Sequence, residues 1–482
     1  MTNKTPSVSN EVTLGFLPAK KSERHFGFWD MLLMQLGIGI STFCFLVGGY
    51  TGMALDAKDS IMVIMFGNAF GVFLIVPIAL IFARYGIDTF VGFRSALGYL
   101  GNNIFFGLFM IIVVGFISVG CFMAGESIAK ITGMLGGAEF LTTRNLGVPL
   151  FAILVFSIAA FFAYKGPTAI KWLNWIGVPA VVLILISLIV VIFFKHGVGN
   201  VFAIQPSEPY ETGKRSFATA LELNVGLGFS WLVFLGQYSR LAKTEKIAVV
   251  GTFWSFGILV NVAAILGALT ALVVGSLEPS QWMLQLGGEF WGLIGLILLV
   301  LGNIAAVVFL IYTQAISFKT VFPKRNWGLA IGSTFPAVLL MMSPVFYDAY
   351  DGFLALISYL FGVIGAIIVT DFYFVKKQRL SVRDLYDQHG AYKYWRGINP
   401  SALISVLVGT CVYWALYNPL LDQASGAFSY ITAGLPTYFV TAICYFVSSK
   451  YFFSFEVDHA VKENEKENLS VKESALATIK DK

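Results

Sequence analysis

Long apolar stretches separated by short polar joints constrain this chain more than any other feature of its sequence. A helix needs about 20 apolar residues to cross the roughly 30 Å hydrocarbon core of a bilayer. The sequence therefore predicts an all-α membrane protein with about 12 transmembrane helices. The predicted spans lie at residues 28–52, 61–83, 104–129, 148–163, 176–194, 217–239, 250–274, 290–318, 327–343, 353–375, 401–417 and 428–449.

Composition excludes the main soluble classes of protein. Charged residues make up only 12% of the chain and hydrophobic residues 57%, whereas soluble domains carry about 25% charged residues. A membrane enzyme would need clustered metal ligands or a Ser–His pair, and a channel would need a filter motif. The predicted spans contain neither, so the sequence predicts a transporter that is not an enzyme, has no cofactor and binds no nucleic acid.

The distribution of basic residues predicts the orientation in the membrane. The joints after even-numbered spans carry 16 Lys and Arg residues, and the joints after odd-numbered spans carry 6. Because positive charge collects on the cytoplasmic side, we expect both termini in the cytoplasm of a bacterium and the spans in its inner membrane. Residues 1–27 then form a cytoplasmic segment, and residues 450–482 a polar cytoplasmic tail.

Two of the predicted spans carry clusters of glycine beside polar residues. The first cluster, at residues 35–42, includes Gly37 and Ser41, and the second lies at residues 222–231, five spans later. Glycine-interrupted spans at corresponding positions of two halves indicate an inverted-repeat transporter, whose substrate and ions bind at the breaks. The alternative is close helix packing through small residues.

Two carboxyl groups lie inside apolar spans, Glu126 late in the third and Glu222 early in the sixth. An ionisable group within the membrane is expensive and is a functional-site candidate by default. A buried carboxylate that takes up a proton would suit coupling to a proton gradient. The alternative is that each glutamate pairs structurally or lies at the membrane interface.

Several segments resemble the nucleobase–cation symport-1 family, which includes cytosine and purine permeases and hydantoin or allantoin transporters. The likeness follows the same order along the chain from the first span to the eleventh, and its segments together are fairly specific. They are ARYGIDTFVGFRSALGYLG (83–101), QYSRLAK (237–243), GVIGAIIVTDFYFVKK (362–377) and DLYDQHGAYKYWRGINPSAL (384–403).

This resemblance implies a five-plus-five inverted repeat with broken helices 1 and 6. Repeat one would cover about 28–194 and repeat two about 217–375, with two extra C-terminal helices within 401–449. It also implies alternating access, and import of a small heterocyclic molecule coupled to H⁺ or Na⁺. We expect a monomer or a weak oligomer.

The resemblance also transfers substrate-binding positions to the third span. The segment 115–133 resembles the third span of cytosine permeases, where a tryptophan stacks on the substrate. That position is Phe116 here, and its ring can still stack on a heterocycle. Gly120 falls where some members place a polar substrate contact.

In the sixth span the resemblance covers residues 224–231, which we interpret as the broken part of the helix. The second aromatic residue of the family falls at Gly228. Phe229 and Trp231 lie nearby, and either ring could take over its role.

The eighth span departs from the family pattern. Cytosine permeases have a polar run of Thr, Asn and Asp there, whereas this chain has Asn303 followed by apolar residues, and the family's Asp at the end of span six is Gln237. The hydroxyl pair that binds Na⁺ in sodium-coupled members is not evident either. A same-fold symporter for another small solute, such as an amino acid or a vitamin precursor, is therefore the alternative.

A neutral heterocycle needs a flat apolar slot and a few hydrogen-bonding groups. The polar side chains nearest the expected breaks are those of Gln35, Asn224 and Asn303, which we add to the substrate site. Gly37, Ser41, Glu126 and Glu222 are the candidates for ion coupling. Each polar side chain could instead form a helix–helix hydrogen bond worth only about 0.6 kcal/mol.

Overall fold

The computed structural model describes residues 17–39 and 42–453, without the side chains of residues 37–38, 167–175 and 178. Ser41, most of the N-terminal segment and most of the polar tail lie outside these residues. The principal helices are α1 (Phe28–Gly39), α2 (Thr42–Ala54), α3 (Ala57–Tyr85), α4 (Tyr99–Met134), α5 (Gly147–Lys165), α6 (Pro167–His196), α7 (Gly213–Ser230), α8 (Leu235–Ser239), α9 (Glu245–Val274), α10 (Pro279–Val321), α11 (Trp327–Met341), α12 (Tyr350–Val375), α13 (Pro400–Leu416) and α14 (Gly434–Val447).

Short elements connect the principal helices. Two short strands, β1 (Tyr417–Asn418) and β2 (Gln423–Ala424), form an antiparallel hairpin between α13 and α14. The short helical turns are Lys21–Glu23, Thr89–Gly92, Arg94–Leu97, Glu139–Thr142, Val198–Val201, Pro344–Asp348, Val382–Tyr386, Ala391–Lys393, Phe428–Ile431 and Ser448–Phe452.

Eight helices in the described part of the chain are long and apolar enough to cross a membrane. They coincide with eight of the twelve predicted spans, which confirms a mostly helical membrane protein. The first, ninth, eleventh and twelfth predicted spans correspond to shorter or interrupted helices. The total of twelve crossings therefore stays a prediction.

The helices pack as two groups with a third layer beside them. In the first group α2 packs along α9, and α3 packs along α7. In the second group α4, α5 and α6 pack around α10. Helices α12, α13 and α14 form the third layer, which contacts the first group mainly through α7.

Small residues allow the backbones of the first group to approach closely. A Cβ atom added at Gly48 or Gly52 of α2 would overlap carbonyl oxygens of α9. At Gly228 of α7, it would lie 2.8 Å from the Cα atom of Gly71 in α3. Small residues in this position are typical of close membrane-helix contacts.

The structure tests only one of the two expected helix breaks. The described part of α1 runs to Gly39 and that of α2 starts at Thr42, so a break within the first glycine cluster falls outside the described residues and stays a prediction. In the sixth span the α-helix continues through the whole glycine cluster to Ser230, and a 3₁₀ segment follows at Trp231–Phe234. Our interpretation of residues 224–231 as the broken part was therefore wrong, because Gly228 serves packing against α3 and Gly226 packing against α12.

Candidate functional site

The junction between α1 and α2 is the point where most of the expected substrate residues meet. The hydroxyl of Thr42, the first residue of α2, donates a hydrogen bond of 2.5 Å to Oδ1 of Asn303 in α10. The Asn303 amide donates to the carbonyl of Leu299 one turn earlier, at 3.0 Å. This fully buried Asn303 side chain ties the second helix group to the start of α2.

The next residue, Phe43, brings α4 to the same point. Its ring meets the ring of Phe116 edge to face, with centroids 5.6 Å apart. A Cβ atom at Gly120, one turn after Phe116, would lie only 2.9 Å from both Phe43 and Val307 of α10. Gly120 therefore leaves room for these two side chains, and a larger residue there would displace them.

Two aromatic residues of α12 also pack against the Phe116 ring. The Phe353 ring lies 5.4 Å from the Phe116 ring, and the Tyr350 ring lies 6.4 Å from it, both edge to face. Tyr350 is buried, and its hydroxyl has no hydrogen-bond partner among the described residues. A flat molecule could stack on Phe116 only if some of these rings moved aside.

The other side of the junction faces α9. A Cβ atom at Gly39 would overlap Val260, and it would lie 3.4 Å from the ring of Phe256. Phe256 stacks on Trp231 with centroids 4.2 Å apart and an interplanar angle of 6°. The indole N–H of Trp231 is buried and has no partner within the described part of the chain.

Helix α9 is itself irregular at this point, because Phe253–Leu259 forms a π-helix. The carbonyl of Phe256 accepts a hydrogen bond of 2.6 Å from Nδ2 of Asn68 in α3. Single π-helical turns are frequent at functional sites. The irregular turn places Phe256 between the end of α1 and the 3₁₀ segment of the sixth span.

Gln35 and Asn224 form hydrogen bonds between helices and make no described contact with Phe116 or Trp231. The Gln35 amide donates to the hydroxyl of Thr252 in α9 at 2.9 Å, one turn before Gly39. The Asn224 amide donates to the hydroxyl of Thr51 at 2.9 Å, which joins α7 to α2. Gln35 thus joins α1 to the first group, and Asn224 joins two helices within that group.

Gly228 and Phe229 face other helices rather than the junction. Gly228 lies against α3, as described above, and Phe229 stacks on Tyr438 of α14 with centroids 5.6 Å apart. Of the aromatic residues expected in the sixth span, the structure therefore brings only Trp231 towards α1.

The Glu222 carboxylate is buried and surrounded by donors from the third layer. One oxygen accepts from the hydroxyls of Ser358 and Tyr413, at 3.0 and 3.2 Å. The other accepts from the backbone N–H groups of Ala433 and Gly434, at 3.0 and 2.8 Å. Glu222 thus binds the N-terminus of α14, where the helix dipole favours negative charge.

The Glu126 carboxylate is equally buried but has different partners. One oxygen accepts from Arg144 Nε at 3.1 Å, while the other has no hydrogen-bond partner in the described residues. Arg144 also pairs with Asp348, at 2.6 Å. These bonds, chiefly the one to Asp348, raise the pKa of Arg144, which therefore stays cationic.

Gly37 lies in the last turn of α1, two residues before its end.

Sequence reasoning missed Phe43, Phe256, Tyr350 and Phe353. Phe43 had a signal, because it directly follows the first glycine cluster. The others are ordinary members of a chain with 45 Phe and 20 Tyr residues, and only tertiary packing distinguishes them.

Side chains from several apolar helices converge beside the 3₁₀ segment of the sixth span and the π-helical turn of α9, an arrangement typical of transporters with interrupted helices. A family model described as permease for cytosine/purines, uracil, thiamine and allantoin matches residues 18–440. The chain belongs to this permease family, which confirms the resemblance seen in the sequence.

Individual relatives agree with this assignment. A hydantoin permease of Microbacterium maritypicum is 23% identical over 439 residues, which cover 87% of each chain. A purine-uracil permease of Arabidopsis thaliana is 24% identical over 84% of this chain and 70% of that protein. The solved inward-facing conformation of Mhp1 has the same fold, with a TM-score of 0.78 at 18% identity over 96% of this chain and 98% of that one.

Proposed function

We propose that this protein imports a nucleobase or a related nitrogen heterocycle by cation-coupled alternating access. One observation carries the proposal: Phe116, Asn303 and, through Phe256, Trp231 come from three separate segments and converge on the junction of α1 and α2. The family and the relatives named above transport molecules of this kind.

The chemistry of the converging groups suits a flat, uncharged ring. Phe116 and Trp231 supply aromatic faces, and stacking contributes about 0.5–1.5 kcal/mol beyond area burial. The unpartnered N–H of Trp231 and O–H of Tyr350 are buried donors that a ring carbonyl could accept from. A buried donor without a partner costs about 1–3 kcal/mol, so a substrate that satisfies it gains both affinity and orientation.

Alternating access would follow from the two helix groups. Under the expected inverted repeat, spans 1 and 2 correspond to spans 6 and 7. The observed packing of α2 on α9 and of α3 on α7 joins span 1 to span 7 and span 2 to span 6. A pseudo-two-fold axis that relates spans 1 and 2 to spans 6 and 7 would exchange these two contacts. The packing therefore supports the inverted repeat.

For the coupling ion, a proton is the candidate that the described side chains favour. The unpartnered oxygen of Glu126 can take up a proton without losing a bond, whereas both oxygens of Glu222 are already engaged. Na⁺ held at the junction of α1 and α2, near Gly37 and Ser41, is the second candidate. The inner membrane of a bacterium, with both termini inside, remains the proposed location.

The test is uptake of a radiolabelled panel by a permease-deficient bacterium that expresses the full chain. The panel holds cytosine, uracil, adenine, hypoxanthine, allantoin and a thiamine pyrimidine precursor, each with a Na⁺ gradient, a proton gradient or neither. We expect saturable uptake of at least one compound with one gradient. Uptake of none would reject the heterocycle and favour another small solute, such as an amino acid.

The same assay tests the stacking residue. We expect Phe116→Ala to abolish uptake while the protein remains in the membrane at wild-type amounts. Phe66→Ala is the matched control, because Phe66 is 71% exposed on α3 and its loss should leave uptake unchanged. Wild-type affinity in Phe116→Ala would rule out a stacking role.

A further inference from the structure

A separate cleft of about 300 Å³ opens near the end of α2, away from the residues of the candidate site. Tyr50 and Met53 of α2 form one wall, Glu208 and Tyr210 of the connector before α7 form the second, and Asp351 at the start of α12 forms the third. The volume is at the lower end of the range for small-ligand pockets. By the charge distribution of the joints, this cleft is on the periplasmic side.

The cleft and the candidate site are connected through two helices, α2 and α12. Tyr50 is seven residues after Phe43, so the two rings share a face of α2 and stand about 10 Å apart along its axis. On α12, Asp351 lines the cleft, and its neighbour Tyr350 contacts Phe116. Tyr350 thus adjoins a residue of the cleft in the sequence and contacts Phe116 in space.

The polar groups of the cleft favour a ligand that donates hydrogen bonds. Two nearby carboxylates are already paired, Asp348 with Arg144 and Asp422 with Arg215. Glu208 and Asp351 form no ion pair within the described residues, and no basic residue lines the cleft. Its walls thus offer two carboxylates beside two tyrosine rings.

Tyr210 contributes an aromatic ring to the cleft, and a cation–π contact orients that ring. The Arg215 guanidinium lies 5.3 Å from the centre of its ring. Burial, together with the Asp422 and Asp351 carboxylates, raises the pKa of Tyr210 to about 12. The phenol therefore stays protonated at physiological pH, and its ring remains neutral.

We propose that this cleft is an outer binding site, where a flat heterocycle with N–H groups waits between Tyr50 and Tyr210, hydrogen-bonded to Glu208 and Asp351, before Tyr350 moves aside. The inference rests on the proposed function, since the ligand is the transported molecule itself. The same carboxylates would repel anionic rings, so the cleft selects neutral or cationic heterocycles.

The experiment compares uptake kinetics of cytosine, hypoxanthine and allantoin in wild type and in the double variant Glu208→Gln/Asp351→Asn. Loss of charge-assisted hydrogen bonds at an entry site should raise KM about three- to tenfold and leave the maximal rate within about twofold. The control is Glu211→Gln, which removes an exposed charge from the same connector but lies outside the cleft. It should keep the wild-type KM.

A binding measurement on purified protein separates the two sites. Phe116→Ala protein should retain weak equilibrium binding of the transported compound, and adding Glu208→Gln/Asp351→Asn should remove it. An unchanged KM in the double variant, or a fall in maximal rate together with lower thermal stability, would overturn the outer site alone. Wild-type protein that transports none of the six compounds of the uptake panel would overturn the proposed function and the outer site together.

Discussion

Glu222 and Glu126 look alike in the sequence and differ completely in the fold. Each is a single carboxyl group in an apolar span, and each is buried to within 3% exposure. Glu222 accepts four hydrogen bonds from uncharged donors of α12, α13 and the start of α14. Glu126 accepts one from Arg144, whose side chain is 40% exposed, and its other oxygen has no partner among the described residues.

The difference teaches that a buried carboxylate can fasten helices or stand ready for a proton, and that its partners decide which. Four donors from three elements make Glu222 a side chain that joins α7 to the third layer. Glu126 has one arginine partner and one oxygen without a partner among the described residues, so it is the carboxyl group that we propose for proton uptake. We therefore expect structural effects at Glu222 and pH effects at Glu126.

The largest effect should come from Glu222→Leu. This substitution leaves four buried donors without an acceptor, and breaking such a buried charged network costs about 3–5 kcal/mol. We expect a sharp loss of protein from the membrane and a lower midpoint of thermal unfolding after purification. Glu139→Gln, which removes an exposed acid, is the control; a Glu222→Leu protein as stable as this control would refute the fastening role.

Arg144→Met should have the next largest effect. It leaves the buried Glu126 and the exposed Asp348 unpaired, and we expect a loss of about 1–3 kcal/mol because Glu126 can relieve the strain by protonation. The loss of thermal stability should therefore shrink as the pH is lowered. Stability that falls equally at all pH values would show that packing of the arginine, and not its charge, matters.

Tyr413→Phe removes one of the four donors to Glu222, a hydroxyl that the carbonyl of Ala355 shares at 3.0 Å, and keeps the ring. We expect a loss of about 1 kcal/mol, typical of one hydrogen bond, with uptake retained. The measurement is chemical or thermal unfolding of purified protein. A loss as large as that of Glu222→Leu would mean that the tyrosine, and not the helix N-terminus, carries the interaction.

Glu126→Gln should disturb stability least and function most selectively. Glutamine can still accept from Arg144, so we expect less than about 1 kcal/mol of destabilisation. If Glu126 carries the coupling proton, uptake should lose its dependence on external pH and no longer concentrate substrate. An unchanged pH response would remove Glu126 from the coupling scheme and direct attention to Na⁺.

Sequence reasoning predicted the helical class, eight of the spans and the family, because apolar length and motif order are properties of the chain itself. It also assigned Phe116, Gly120 and Asn303 to one substrate site. The structure brings Phe116 and Gly120 to Phe43 and Asn303 to Thr42, and their role in substrate binding stays a prediction. It misplaced the break in the sixth span, because a glycine cluster looks the same whether it bends a helix or packs against a neighbour. Only the contact of Gly228 with Gly71 distinguishes these cases.

The sequence by itself determined that this chain is a helical membrane protein, because runs of about twenty apolar residues are stable only when they are removed from water. The tertiary structure alone decided what each polar group inside that bundle does. Glu222 and Glu126 differ through partners that lie up to 212 residues away, Arg144 18 residues from Glu126 and Gly434 212 from Glu222. Hydrogen bonds and charges act over a few ångströms, so their effect depends on which helices the fold brings together.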